Sequence, residues 1–187
     1  MIFTIVGPSG AGKDTLIAEA GRLRPGLRFV PRVITKPAGT SGEDFESVTP
    51  QEFSRRKAAG EFALDWRAYG VDYGIPRAQV QDLDGDVIFN GSRAALPRAL
   101  LAFPGLRVIL VTAPPEQLAA RLAARGREPA PEIAQRLLRA GHGLPPAVEP
   151  VTVMNDSTPD EGARRLLAAL DQGRAPRPHT RIQDGGR

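Results

Sequence analysis

The sequence contains no cysteine and only two histidines, His142 and His179. A chain without cysteine has no disulfide framework, no thiolate metal site and no cysteine nucleophile, and two histidines offer little for an imidazole metal site. Aromatic residues are also scarce, at 5% of the chain. Because nucleic-acid-binding surfaces combine a basic face with stacking aromatics, this composition argues against a nucleic acid as partner.

Long apolar runs are missing as well, since no segment approaches the roughly 20 apolar residues of a membrane-spanning helix. We therefore expect no integral membrane segment. The opening residues MIFTIVGPSG have neither a basic region nor a small-residue cleavage site, so we expect no secretory signal and a cytoplasmic location. With 187 residues and 41% hydrophobic content, the chain suits one domain with a buried core.

Charge is distributed unevenly along the chain, which has 25 basic and 21 acidic residues and a net charge of +4. Residues 173–187 carry four arginines and one aspartate, which leaves a net charge of only +1 for the rest. That segment is rich in Pro, Gly and Arg and has no periodicity. We predict a single domain over residues 1–172 and a disordered tail over residues 173–187.

Short apolar runs alternate with amphipathic segments, a pattern typical of an α/β protein whose parallel sheet has helices on both faces. The predicted strands span residues 2–6, 28–35, 86–90, 107–112 and 151–154. The predicted helices span residues 14–23, 49–60, 116–125, 131–140 and 160–170. Pro31 predicts a sheet edge or a bend, and Thr49 with Pro50 and Glu52 predicts a capped helix start. Two further segments are predicted as a polar loop, 38–47, and as an irregular lobe or hairpin, 62–74.

The clearest motif is a glycine-rich turn ending in lysine, placed between the first predicted strand and the first predicted helix. Glycines allow backbone N–H groups to surround an anion, the helix N-terminus adds positive charge, and Lys13 reaches the outer phosphates of a nucleotide. The motif favours an ATP-binding phosphate loop over an ordinary glycine turn. Its residues are Gly7, Pro8, Ser9, Gly10, Ala11, Gly12, Lys13, Asp14 and Thr15.

One position of this loop departs from the usual pattern, because Asp14 stands where a serine or threonine hydroxyl normally meets Mg²⁺. A carboxylate is a hard oxygen ligand that suits Mg²⁺, so we predict that Asp14 approaches the metal directly or through water. The alternative is that Asp14 only stabilises the positive N-terminus of the helix by its charge.

Five segments together resemble the guanylate-kinase group of P-loop kinases. They are GPSGAGKD at residues 7–14, RVIT at 32–35, Gly42-Glu43, Tyr73-Gly74 and the arginine-rich RLAARGRE at 121–128. The chain is more similar to one branch of that group, the ribose 1,5-bisphosphate phosphokinases of phosphonate utilisation. The loop aspartate and NGSRAALP at residues 90–97 are the most specific parts of this resemblance.

The resemblance implies a three-layer P-loop kinase fold with a central parallel sheet, a small substrate-binding lobe at residues 36–84 and an arginine-bearing lid at residues 121–140. It also implies that ATP and Mg²⁺ serve to phosphorylate ribose 1,5-bisphosphate, which gives 5-phosphoribosyl 1-diphosphate. A guanylate kinase and a non-catalytic guanylate-kinase-like interaction module are the alternatives. The complete set of loop glycines and Lys13 argue against the module, which needs no intact phosphate loop.

Four positions differ from guanylate kinases. Lys36 is one cation where that family has paired arginines, and Phe45 stands at the place of a phosphate-binding tyrosine. Asp65 falls near the guanine-reading glutamate, and Ile75 falls at a base-reading hydroxyl. A site without these polar groups should not select guanine, because discrimination depends on satisfied hydrogen bonds.

The implied acceptor is itself a phosphate, so the reaction needs no general base and depends on alignment and charge neutralisation. We predict Lys13, Arg125 and Arg136 as catalytic cations. Arg121 and Arg125 share a helix face, and Gly126 ends the helix before Arg127, as in a lid that closes over ATP. The alternatives are a solvated arginine face for the lid and a helix-surface charge for Arg136.

Further side chains are predicted to contact the two ligands. Those expected at ATP are Arg121, Arg127 and Asn155, the last near the adenine unless it only forms a turn. Those expected at the sugar phosphate are Arg32, Lys36, Tyr73, Asn90, Ser92 and Arg93, the last three because ligands bind beyond the carboxyl ends of parallel strands. Ser92 as a helix cap and Tyr73 as a core aromatic are the alternatives, and Trp66 is predicted in the core of the lobe. The sequence leaves the oligomeric state open, a homodimer included.

Overall fold

A computed structural model describes residues 1–37, 44–68, 70–81, 85–124, 143–146 and 148–174. Within these residues the strands are β1 Ile2–Val6, β2 Arg28–Val30, β3 Arg32–Ile34, β4 Phe45–Ser47, β5 Phe62–Ala68, β6 Val71–Pro76, β7 Val87–Asn90, β8 Arg107–Thr112 and β9 Val151–Met154. The α-helices are α1 Lys13–Leu23, α2 Pro50–Ala58, α3 Leu96–Ala102, α4 Pro115–Ala124 and α5 Pro159–Arg174. None of these helices is both long enough and apolar enough to cross a bilayer.

A five-stranded sheet in the order β2, β7, β1, β8, β9 forms the centre of the molecule. Each neighbouring pair of its strands is parallel. The predicted α/β fold with a central parallel sheet is therefore confirmed. Because all five strands run the same way, their carboxyl ends meet at one edge, where open α/β sheets bind ligands.

Different elements cover the two faces of this sheet. On one face Phe3 of β1 packs with Leu16 of α1 and Leu166 of α5, and none of the three is exposed. On the other face Val6 packs with Leu96 of α3. Full burial of side chains of this size stabilises the fold by about 1.5–3 kcal/mol each. The alternation of neighbouring side chains along β1 thus creates the three layers.

A second sheet, in the order β4, β3, β6, β5, forms a smaller lobe. The β5 and β6 strands are an antiparallel hairpin, which was one of the two alternatives for residues 62–74, while β3 and β4 are parallel. Phe53 of α2 stacks on Phe62 of β5 with ring centroids 4.7 Å apart. Trp66 of β5 joins Phe89 of β7 in a buried cluster, which attaches the lobe to the parallel sheet.

Two local predictions agree with the structure for identifiable reasons. Pro31 separates β2 from β3, and β2 lies at the edge of the parallel sheet. Proline has no N–H to donate, which suits a break between strands. Thr49 caps α2 by accepting a hydrogen bond from the Glu52 amide at 3.1 Å, with Pro50 as the first helical residue.

Three local predictions need correction. The strand predicted at residues 28–35 is two strands, which belong to different sheets. Residues 45–47 are strand rather than loop, because they pair with β3. The last helix extends to Arg174, since Gly173 packs against Phe3 instead of beginning a tail. The predicted helix at 131–140, the remaining tail from 175 onward and the start of the polar loop at 38–43 lie outside the described residues.

Candidate active site

The phosphate loop connects β1 to α1 and lines a cavity of about 620 Å³ at the carboxyl edge of the parallel sheet. Lys13 is the first residue of α1, and its ammonium group donates to the carbonyl oxygens of Gly7 and Pro8 at 3.0 and 3.1 Å. The positive end of α1 opens on the same cavity, where a helix N-terminus attracts anions. The loop therefore concentrates positive charge at one wall.

Glycine is required at two positions of the loop. A Cβ at Gly7 would collide with the backbone carbonyl of Val111 in the neighbouring strand β8. Gly12, at the N-cap of α1, has φ 83° and ψ 18°, which most side chains avoid, and a Cβ there would collide with the Asn155 amide. The glycine spacing of the sequence is thus the spacing at which the loop passes close to its neighbours.

Most of the predicted site residues line this cavity. Those that do are Gly7, Ser9, Gly10, Gly12, Lys13, Asp14, Arg32, Tyr73, Asn90, Ser92 and Arg93. Among the described lining residues, three cations, Lys13, Arg32 and Arg93, face one carboxylate, Asp14. A cavity with this balance favours ligands that carry several negative charges.

The wall opposite the phosphate loop is formed by the second sheet. Tyr73 of β6 stacks on Trp66 of β5 with ring centroids 5.3 Å apart and an interplanar angle of 4°. The guanidinium carbon of Arg32 lies over the same Tyr73 ring, 4.9 Å from its centroid. A guanidinium on an aromatic face gains about 0.5–2 kcal/mol, so the stack fixes the position of this cation.

The end of β7 supplies the third wall. Ser92 precedes a short 3-10 turn, Arg93–Ala95, and its side chain makes no capping hydrogen bond there. The alternative that Ser92 caps the next helix is therefore wrong, because Ala95 occupies the N-cap position of α3. Asn90, the last residue of β7, is 6% exposed and donates from its amide to Asp14 Oδ1 at 2.7 Å.

Arg121 and Asn155 lie together behind the phosphate loop, without lining the cavity. Asn155 is 5% exposed, and its side-chain amide donates to the carbonyl of Ala11 at 2.8 Å. Arg121 donates through Nη2 to the carbonyl of Asn155 at 3.0 Å and to Gln117 Oε1 at 3.1 Å. Its Nη1 is buried and finds no partner among the described residues. This arrangement braces the loop, and contact of either residue with a nucleotide stays a prediction.

Other predicted residues are placed elsewhere. Pro8, Ala11, Thr15 and Lys36 do not line the cavity, although the first three belong to the loop segment. The carbonyl of Lys36 accepts from the Ser47 hydroxyl at 2.7 Å. The lid arginines Arg125, Arg127 and Arg136 lie outside the described residues, which include the predicted lid only as far as Ala124.

The two positions that we predicted to match the base-reading residues of guanylate kinases do not line the cavity. Asp65 of β5 is held by Lys57 at 2.6 Å and by Arg98 at 3.2 Å. Ile75 is fully buried, and neither residue lines the cavity. Along β5, Trp66 and Ala68 line the cavity while the intervening Arg67 does not, so Asp65 lies on the opposite face of the strand.

Sequence reasoning missed part of the cavity wall. The additional lining residues are Trp66, Ala68, Gly91, Ala94, Pro97, Gly143, Leu144 and Pro145. Trp66 was expected only in the core, although the period-two alternation of β5 places it beside Ala68 on the cavity face. No signal in the sequence indicated residues 143–145, which reach the cavity only through the fold.

Metal-binding groups are few. The described residues contain no group of three or more histidine, cysteine or acidic side chains that could hold a metal ion by themselves. Mg²⁺, however, is usually bound by one or two carboxylates together with waters and substrate phosphates. Asp14 supplies one carboxylate beside Lys13, and the buried oxygen Oδ1 of Asn90 has no partner among the described residues. This donor set fits Mg²⁺ accompanied by a polyphosphate.

A solved structure shows the fold that the chain shares. The guanylate kinase of Anaplasma phagocytophilum matches with a TM-score of 0.65 at 18% identity, covering 95% of this chain and 87% of that one. No family model matches the chain. The fold, with its phosphate loop, is that of the guanylate-kinase-like P-loop kinases.

Curated relatives narrow this class. The ribose 1,5-bisphosphate phosphokinase PhnN of Agrobacterium fabrum (strain C58) is 41% identical over 176 residues, which are 91% of this chain and 96% of that protein. The bifunctional ribose 1,5-bisphosphokinase-thymidine phosphorylase of Cupriavidus necator is 45% identical over 91% of this chain, which spans 29% of that longer relative. The chain belongs to the ribose 1,5-bisphosphate phosphokinase family, as its motifs suggested.

Proposed function

We propose that this chain transfers the γ-phosphoryl group of ATP to ribose 1,5-bisphosphate, forming ADP and 5-phosphoribosyl 1-diphosphate. One observation carries the proposal. The same cavity brings Lys13 of the phosphate loop together with Arg32 of the second sheet and Arg93 of the β7 end. Two polyanions can bind there only if such cations offset their mutual repulsion.

The chemistry follows from the acceptor. An oxygen of the acceptor 1-phosphate attacks the γ-phosphorus, and the bond from that phosphorus to the β,γ-bridging oxygen breaks, so ADP leaves with the electron pair. The attacking oxygen carries no proton at neutral pH, and no base is needed. Lys13 neutralises charge on the transferring group, while Arg32 and Arg93 hold the acceptor in line.

The nucleotide is held by the loop amides and by the positive end of α1. Asp14 would hold Mg²⁺, which when bound supplies charge neutralisation at the β- and γ-phosphates. Arg121 and Asn155 are proposed to contact ATP from behind the loop, and Arg125, Arg127 and Arg136 from the lid. Lys36, Tyr73, Asn90 and Ser92 complete the proposed acceptor site. We further propose that the protein acts on this small molecule in the cytoplasm and not on a nucleic acid.

A parallel assay of two acceptors tests the proposal. Purified protein with ATP and Mg²⁺ is given ribose 1,5-bisphosphate or GMP, and ADP release is measured by a coupled assay. We expect turnover with the sugar bisphosphate and little with GMP, because Asp65 is engaged outside the cavity and Ile75 offers no hydrogen bond. Robust turnover of GMP alone would overturn the assignment.

The role of Lys13 can be tested against a matched control at another lysine, Lys57, which is one of the three lysines of the chain. Lys13→Ala should lower kcat by at least about a hundredfold, the usual effect of removing one group that stabilises transition-state charge. Lys57→Ala removes a lysine that pairs with Asp65 at the surface and should leave kcat near that of the wild type. Equal activity of the two variants would exclude Lys13 from the mechanism.

A further inference from the structure

Asp14 and Asn90 meet at the junction of the phosphate loop with the parallel sheet. Asn90 ends β7, the strand beside β1, and is level with Ile5. Asp14 lies in the first turn of α1, directly after Lys13. The Asn90 amide nitrogen donates to Asp14 Oδ1 at 2.7 Å, and both side chains line the cavity. The end of a core strand and the start of the loop helix are therefore joined through two side chains.

The orientation of the Asn90 amide is set by this contact. An ionised carboxylate only accepts hydrogen bonds, so Asn90 must present its nitrogen to Asp14 and turn its oxygen elsewhere. That oxygen, Oδ1, is buried and has no partner among the described residues. A buried unpaired acceptor costs about 1–3 kcal/mol, which a structure retains when a ligand completes it. A cation beside the carboxylate is such a ligand.

The residue types at these two places are the reverse of the general P-loop arrangement. Mg²⁺ in P-loop NTPases is held by the hydroxyl that follows the loop lysine and by an aspartate of another strand. Here the loop position is the aspartate, Asp14, and the strand end is the neutral Asn90. Both arrangements have one carboxylate, which lies at a strand end in the general P-loop arrangement and in the phosphate loop here.

We propose that Asp14 and Asn90 form the protein half of the Mg²⁺ site, with the carboxylate exchanged from the strand end to the phosphate loop. Asn90 fixes the Asp14 carboxylate through its nitrogen and offers Oδ1 as a second oxygen, to the cation or to a water of its shell. This reassigns Asn90 from the acceptor sugar phosphate to the metal, and it rests on the proposed use of ATP with Mg²⁺.

The proposed exchange is tested with variants that return the carboxylate from the phosphate loop to the strand end. The measured quantity is the Mg²⁺ coupling, defined as the ratio of the ADP dissociation constants in EDTA and in Mg²⁺ from titration calorimetry. Asp14→Ser and Asn90→Leu should each reduce this coupling by about 10–100-fold, as losses of metal ligands or of their partners do. Asp14→Ser combined with Asn90→Asp restores one carboxylate and one hydroxyl, so the coupling should return to within about threefold of the wild type. A double variant no better than Asp14→Ser overturns the exchange.

Asp160→Ser is the matched control, because Asp160 lies in the first turn of α5 as Asp14 does in α1, and pairs with Arg164 at the surface. Its coupling should equal that of the wild type. If it falls as far as that of Asp14→Ser, the effect is one of helix charge and the proposal fails.

A second measurement needs no substitution and so does not depend on the folding of a variant. In the wild type bound to ADP, a small amount of Mn²⁺ should broaden the NMR signal of the Asn90 side-chain amide beyond detection. An unbroadened signal at saturating ADP would place the metal elsewhere and overturn the proposal. Failure of the phosphokinase function would show differently, as absence of turnover with ribose 1,5-bisphosphate while the Mg²⁺ coupling and its rescue persist.

Discussion

The ring of Tyr73 stacks on Trp66 and also contacts the guanidinium of Arg32. All three side chains line the cavity. A flexible arginine would have to lose rotamer freedom when it binds a phosphate, and an arginine already stacked has lost part of that freedom. We infer that Tyr73 acts partly by holding Arg32 in place for the acceptor.

Two substitutions separate the ring of Tyr73 from its hydroxyl. Tyr73→Phe keeps the stack and removes the hydroxyl, and we expect the acceptor KM to rise about tenfold, because a hydrogen bond to a charged group contributes about 1.5–3 kcal/mol. Tyr73→Leu also removes the support of Arg32 and should raise the acceptor KM further. The ATP KM should not change in either variant. An unchanged acceptor KM in Tyr73→Phe would leave Tyr73 with the role of its ring alone.

Individual residues differ in how well the sequence predicts them. Gly7, Gly12 and Lys13 lie at the predicted turn between β1 and α1 and line the cavity, because each meets a local requirement of that turn. The contact between Asp14 and Asn90 joins residues 76 positions apart in the sequence, and no local pattern indicates it. The orientation of Asp65 away from the cavity likewise depends on strand pairing, which periodicity alone does not fix.

At the scale of elements, the segment after β9 supports the phosphate loop from behind. The buried Asn155 side chain connects this segment to the Ala11 carbonyl. The backbone N–H of Asn155 donates to the carbonyl of Thr112 at the end of β8, at 2.7 Å. The loop is thus attached to the ends of two strands that were predicted separately. Its shape without ligand depends on this attachment.

Asn155→Asp tests the attachment with almost no change in side-chain volume. A carboxylate cannot donate to the Ala11 carbonyl, so the loop loses its hydrogen bond and gains a repulsive contact. We expect the free energy of unfolding to fall by about 1–3 kcal/mol and the ADP dissociation constant to rise about tenfold or more. Urea titration and calorimetry measure the two effects. A stable variant that binds ADP as tightly as the wild type would contradict the bracing role.

Elements with strong local signals were predicted well, whereas the short strand β4, which depends on pairing, was not. β1 and β8 are apolar runs with clear ends, and they span the residues predicted. β4 is three residues long, and only its pairing with β3 makes it a strand. α3 was not among the predicted helices, although Ser92 as a helix cap was one of the alternatives for that residue. The β3–β4 half of the lobe sheet therefore depends on tertiary contacts that a linear pattern does not contain.

At the scale of the molecule, an ion-pair chain joins the ends of three elements. Arg24 after α1 pairs with Asp171 of α5 at 2.7 Å, and Arg174 pairs with both Asp171 and Asp86. Asp86 precedes β7 and also accepts from the Met1 amine at 3.1 Å. Burial raises the pKa of Asp86, but hydrogen bonds from the Met1 amine and Arg174 outweigh it and hold the pKa below its ordinary value of 3.8.

This pKa shift predicts a pH-dependent contribution to stability. Because the pKa of Asp86 is lower in the folded state, its contribution is complete above about pH 3.8 and is lost as the pH falls through the folded-state pKa. Asp86→Asn should lower the free energy of unfolding by about 1 kcal/mol at pH 7, and the difference should shrink below pH 3.8. Urea titrations at several pH values measure it, with Glu116→Gln as a surface control. A difference that stays constant down to pH 2.5 would contradict this electrostatic origin.

A single residue, Pro31, separates the strand that ends at Val30 in the parallel sheet from the strand that begins at Arg32 in the lobe. Proline restricts φ to about −65°, so this junction is stiff and short. The junction therefore places Arg32, which lines the cavity, directly after the edge strand of the parallel sheet. A stiff junction limits rotation of Arg32 relative to the parallel sheet that carries the phosphate loop, and the buried cluster that joins Trp66 to Phe89 limits it at a second place.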